Sequence, residues 1–292
     1  KENISETPEQ GVFGRYGSGP GQFNNPSGVC FDNSTSRIMV AEYGSNHRIQ
    51  LFDRKGGYVG MLGTKGNGAG QFQNPLGVCV QPKTNNILVA EYNNHRVQVF
   101  SNAMNCADIK SKHTIGGPNA SQDTGKFNCP YDVTCNSQGH VIVAEYKNHR
   151  VQIFDEKCEF VRVIGTTGQA GSANNQLNSP YSVCVDSEDR IFVADYDNYR
   201  ISVWSGDGQQ FIKHIPLSAA PYSVVIDRYD RLIVGLNNNT LIVYDHANMK
   251  QLQSFGGDGS QPGQFDRIYG LCVTDDNTLV VSDCSNHRIQ MF

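Results

Sequence analysis

Four histidines hold the most reactive side chains of the sequence in a fixed setting. His47, His95, His149 and His287 each follow an asparagine and precede an arginine, Arg48, Arg96, Arg150 and Arg288. A carboxylate stands a few residues upstream, at Glu42, Glu91, Glu145 and Asp283. Asp195 and Arg200 repeat the pattern with Tyr199 in the histidine slot. Imidazoles and carboxylates at one spacing can ligate a metal or exchange protons, but only if they converge on one point, within about 2.0–2.3 Å of a zinc ion. Whether they converge depends on the elements that carry them.

Those elements are repeats. The segment from Val40 to Phe52 returns as copies ending at Phe100, Phe154 and Trp204. A degenerate copy, VGLNNNTLIVY, ends at Tyr244, and a last copy closes the chain at Phe292. The marker asparagines, Asn46, Asn94, Asn148, Asn198, Asn238 and Asn286, are 48, 54, 50, 40 and 48 residues apart. Periods of this size mark repeat architectures. Each repeat holds four short strand signals separated by turn residues. In the first they are 27–31, 37–41, 48–52 and 58–62.

Six four-stranded meanders have a known physical solution. Sheets set radially about an axis bury both faces and expose only short edges. The expected fold is all-β, a six-bladed propeller over 11–292 with repeats near 15–63, 64–116, 117–165, 166–214, 215–256 and 257–292. The last copy lacks its fourth strand, and Gly11-Val12-Phe13-Gly14 matches that strand, so the N-terminal strand should close the ring. Residues 1–10 read as disordered or as the cut edge of a longer chain.

In a ring of blades the histidines are splayed, one per blade. They are expected to tie the third strand to a neighbouring loop, with each carboxylate and arginine forming a hydrogen-bonded brace. No metal and no cofactor is expected. Gly17 to Gly21 and Gly66 to Gly70 lead into strands and read as turns, whereas phosphate cradles lead into helix N-termini. No nucleophile elbow, zinc helix motif or acidic calcium loop is present. The expectation is a binding domain and not an enzyme.

Composition narrows the partners. The chain has 24 basic and 28 acidic side chains, net −4, which speaks against nucleic-acid binding through bulk charge. No apolar run approaches the roughly 20 residues of a membrane span. Neither DNA nor a membrane is an expected partner. Cys30, Cys79, Cys184 and Cys272 fill one slot in four repeats and should be buried, unbridged residues. The nine cysteines read as reduced, placing the protein in the cytoplasm as a monomeric propeller.

The tyrosines are the candidate binding residues. Tyr43, Tyr92, Tyr146 and Tyr196 follow the second strand, and Tyr131, Tyr181, Tyr222 and Tyr269 precede or open the first. In a meander these connections emerge on one end, so the eight should encircle one rim of the channel. They either pack between blades with wet hydroxyls or form a binding face, and as a set the face is the better reading. Aromatic platforms accept single-stranded bases or anchor peptides. Lys65, Lys126, Lys147 and Arg267 fall near the same end and could meet phosphate. Glu42, Glu91 and Glu145 would oppose phosphate unless paired with their arginines.

The Asn-His-Arg marker, Gly21-Gln22-Phe23, Gly70-Gln71-Phe72 and Gly263-Gln264-Phe265, with Pro26-Ser27-Gly28-Val29 and Pro75-Leu76-Gly77-Val78, resemble the NHL repeat. The resemblance covers 11–292 and is most like the C-terminal propeller of TRIM-NHL proteins. It implies a recognition module that binds single-stranded or loop RNA in post-transcriptional regulation. The alternative it implies is a protein-binding propeller serving an attached ubiquitin ligase module. Propeller enzymes with such repeats also exist, but need inward ligands this sequence does not assemble.

Overall fold

The computed structural model describes residues 3–292. Six antiparallel four-stranded sheets form the blades, counted from the N-terminal side. Blade 1 runs through Pro26–Asp32, Arg37–Glu42, Arg48–Asp53 and Tyr58–Leu62, innermost strand first. Blades 2 to 5 repeat this order from Pro75, Pro130, Pro180 and Pro221. Each innermost strand packs on the next, and that of blade 6, Ile268–Val273, packs on that of blade 1. The ring is closed, as expected.

Closure uses the predicted strand. Gly11–Phe13 pairs with Arg288–Met291, Val12 opposite Gln290, and completes blade 6. Strand ladders leave unpaired N–H and C=O groups at an open edge, and this pairing removes one. Positions 1 and 2 of the 1–10 segment lie outside the described residues. From position 3 the chain follows the propeller: Ile4 is buried, and its N–H and C=O both bond the Gln253 carboxamide.

The core lies between blades. One cluster joins Met39, Ile49 and Leu51 of blade 1 to Phe72, Ile87 and Val89 of blade 2. The phenylalanine of each Gly-Gln-Phe motif is fully buried there. Gly14 shows why glycine precedes it: φ is +92°, and an added Cβ would lie 2.3 Å from the Phe23 ring. Both the backbone conformation and the contact exclude a side chain. All nine cysteines are free; Cys30, Cys184 and Cys272 are buried, while Cys79 is half-buried with its Sγ 3.7 Å from that of Cys135. No helix among the described residues is long and apolar enough to cross a membrane.

Candidate functional site

The brace decides what charge the tyrosine end presents. In blade 3 the Glu145 carboxylate is completely buried. It accepts from Arg150 Nε at 2.5 Å and Gln152 Nε2 at 2.8 Å on one oxygen, and from Asn148 Nδ2 at 2.7 Å and the Asn128 N–H at 3.0 Å on the other. The remaining Arg150 nitrogens donate to the carbonyls of Gln122, Asp123 and Lys126, pinning the long loop before blade 3. Arg48–Glu42, Arg96–Glu91, Arg200–Asp195 and Arg288–Asp283 repeat the pair at 2.5–2.6 Å. These carboxylates are therefore withdrawn from solvent and paired, and do not oppose phosphate.

The histidines are staples between blades. His47, His95, His149 and His287 each accept, through Nδ1, a backbone N–H of the following blade: Asn74, Cys129, Ser179 and Asn25, at 3.0–3.2 Å. The acceptor nitrogen must be unprotonated, and burial holds all four imidazoles below their ordinary value. Their left-handed backbone, φ 47–55°, turns each ring outward to its neighbour. In blade 5 Asn239 does the same work, its Oδ1 accepting the Arg267 N–H at 2.7 Å. Blade 4 has Tyr199 there. Among the described residues, no group of three or more His, Cys, Asp or Glu side chains is placed to hold a metal ion.

The eight tyrosines come together, but not as a ring around an open mouth. They form one connected cluster. Tyr131 and Tyr269, from opposite blades 3 and 6, meet edge to face across the axis with centroids 6.4 Å apart. Tyr181 lies 4.2 Å from Tyr131 and stacks on Tyr196 at 4.3 Å, 25° between planes. Tyr196 in turn stacks on Tyr222 at 5.2 Å. The expected encircling rim is thus corrected to a plug. A six-bladed mouth is narrow enough for phenol side chains to meet over it.

The plug separates two spaces. Below it is a channel cavity of about 160 Å³, where Asp132, its pKa pushed up to about 6 by burial, accepts from Ser182 Oγ and the N–H groups of Val183 and Val133. Above it is a cup of about 210 Å³ whose walls include Tyr43, Asn74, Tyr92 and Tyr146. Leu76, Tyr131, Tyr181 and Tyr269 line both and form the partition. The cup exists because the slot filled by tyrosine in blades 3 to 6 holds Ser27 and Leu76 in blades 1 and 2. Burial raises the phenols of Tyr43, Tyr92, Tyr131 and Tyr181 above their usual value, so the cup is uncharged at neutral pH.

Around the cup, Lys147 Nζ lies 4.7 Å over the Tyr146 ring, and Arg267 stands two residues before Tyr269, its backbone N–H bonded to Asn239 Oδ1 of blade 5. Both are exposed, as are Lys126, in the 117–129 loop, and Lys65, in the short strand Thr64–Lys65 that pairs in parallel with Gln71–Phe72. Arg15, on the loop before blade 1, is a further exposed cation. Asp123, Asp197, Asp258 and Asp266 share this end, leaving it close to neutral in an acidic chain. Asn74 and Leu76 escaped the sequence reading, which looked for aromatic and basic residues. Their signal was their position in slots filled differently by other repeats.

Residues 72–100, 127–154, 177–204 and 265–292 match the NHL repeat, so the chain carries NHL repeats in blades 2, 3, 4 and 6. A 48-residue segment is 42% identical to protein lin-41 of Caenorhabditis elegans, covering 16% of this chain and 4% of that protein. Among solved structures, a streptogramin B lyase superposes with a TM-score of 0.61 at 10% identity, over 92% of this chain and 94% of that one. Virginiamycin B lyase from Staphylococcus aureus does so at 0.62 and 12%, with the same coverage. At such identities the likeness is one of fold.

Proposed function

We propose that this NHL-repeat propeller is a non-catalytic recognition domain that binds single-stranded or loop RNA on its tyrosine end, in post-transcriptional regulation in the cytoplasm. The observation that carries this reading is the cup: an uncharged, tyrosine-walled space with Lys147 and Arg267 beside it and the brace carboxylates buried under arginines. A planar base fits such walls, and stacking on an aromatic ring contributes about 1–3 kcal/mol per base. Exposed cations add phosphate contacts, each released by salt. Asn74, whose carboxamide is both donor and acceptor, can bond a base edge. Nine free thiols suit a reducing compartment.

The non-catalytic part rests on how the candidate catalytic groups are used. The histidines spend Nδ1 on backbone N–H groups, and the carboxylates are saturated by donors.

Titration of labelled single-stranded RNA against wild-type and substituted protein tests the proposal. Tyr146→Ala should weaken binding by about 1–3 kcal/mol. Lys147→Ala and Arg267→Ala should weaken it uniformly across sequences and reduce the salt slope by about one each. Absence of RNA binding by the wild type at low salt would defeat the proposal and direct the search to peptides.

A further inference from the structure

One sixth of the tyrosine rim is cut down. The loops entering blades 1, 2, 3, 4 and 6 run through 14–25, 63–74, 117–129, 166–179 and 257–267. The loop entering blade 5 is only Leu217 to Ala220. The brace is lost with the loop it would hold: Leu236 pairs with Pro221 where Glu145 pairs with Pro130, and Thr240 takes the arginine slot. The gap is therefore written consistently into three parts of the repeat.

The gap has an aromatic border. Tyr199 occupies the histidine slot of blade 4, and its carbonyl accepts the Leu217 N–H at 2.8 Å, fixing it beside the short loop. Its side chain staples nothing: Tyr199 is 52% exposed and has no ring partner among the described residues. Three residues before it in the chain, Tyr196 stacks on Tyr181 and on Tyr222, with 25° and 27° between planes, while Tyr181 and Tyr222 meet at 5.6 Å and 51°, so the three rings close a compact triangle. Tyr199, half-exposed and without a ring partner among the described residues, can take another flat ring. Charge is unevenly spread as well. On blades 1, 2, 3 and 6 the five cations Arg15, Lys65, Lys126, Lys147 and Arg267 outnumber Asp123, Asp258 and Asp266, while the exposed charge on the blade 4 side is Asp197.

We propose that the gap over blade 5 is where single-stranded RNA crosses the rim, its bases against Tyr199 and the stacked Tyr196–Tyr222 pair and its phosphates turned away from Asp197. This rests on the RNA reading above. The strand then continues over the cup to Lys147, Lys126, Lys65 and Arg15 on blades 3, 2 and 1, where its phosphates are held. The crossing point is read through base faces, so it contributes affinity with little salt dependence.

Fluorescence anisotropy with an end-labelled, random-sequence single-stranded RNA pool tests this. Tyr199→Asn suits the left-handed backbone, since Asn239 holds the equivalent place in blade 5. It should weaken binding about five- to a hundredfold, the equivalent of one lost stacking contact, and leave the salt slope unchanged. A Gly-Ser extension of the 217–220 loop that refills the rim should weaken binding at least as much. Asp197→Asn should tighten it a few-fold. If the extended loop prevents folding, Tyr199→Asn decides alone. A wild type that binds while folded Tyr199→Asn binds equally well overturns the crossing point and leaves the RNA reading intact. A wild type that binds no RNA at low salt overturns both.

Discussion

Replacing Arg150 by methionine tests how the tyrosine end is held up. Arg150 is 1% exposed along its side chain and Glu145 is fully buried. The substitution keeps most of the volume but removes one donor to Glu145 and the donors to three carbonyls of the 117–129 loop. Leaving a buried charge without its partner costs about 3–5 kcal/mol. For a domain of this size that is roughly 5–8 °C in melting temperature. Glu145 retains the Asn148, Gln152 and Asn128 donors, which favours the lower half of the range. Burial already pushes this carboxyl up, and without Arg150 it rises further. The penalty belongs to the ionised form, so the deficit should shrink as the pH falls and Glu145 takes up a proton. Urea unfolding of both proteins at pH 7 and pH 5 measures this. A loss under about 1 kcal/mol at pH 7, or a deficit that grows on acidification, would refute the reasoning.

Deleting residues 1–16 should lower the melting temperature markedly and promote aggregation, because the Arg288–Met291 edge is then unpaired; an unchanged, monodisperse protein would contradict closure. The histidine staples predict an acid-sensitive component of stability. Their folded pKa values lie below the unfolded value of about 6.5, so this component is complete above that pH and is lost as the pH falls below it. His149→Asn, an acceptor that does not titrate there, should flatten the melting temperature between pH 6.5 and 5 relative to wild type; an unchanged pH profile would count against the staple. Purified protein should carry negligible zinc and keep its melting temperature in chelator, whereas stoichiometric metal on two or more of these histidines would show them to be ligands.

Much of the architecture was legible because a repeat states the same instruction six times. The Asn-His-Arg marker and the unmatched Gly11–Gly14 segment were enough for blade number and closure. The histidines could be recognised as structural because one slot per blade cannot converge. The candidate site was harder. Spacing shows that Tyr131 opens an inner strand and Tyr146 follows a second, but not how far each ring leans toward the axis. Encirclement and closure of the mouth therefore look alike in sequence. The cup is a product of what is missing, tyrosine at Ser27 and Leu76, and a search for reactive residues passes over such positions. Tyr199 was visible as an exception to the histidine slot, yet only its bond to the short 217–220 loop shows what it borders.

The most direct measurement of the central claim is ultraviolet cross-linking of bound single-stranded RNA to the wild-type protein, followed by mapping of the cross-linked peptides. The account predicts adducts on peptides carrying Tyr92, Tyr146, Tyr181, Tyr196 or Tyr199, all at the tyrosine end. Adducts confined to the opposite end of the propeller, or none at a protein concentration that saturates binding, would contradict it.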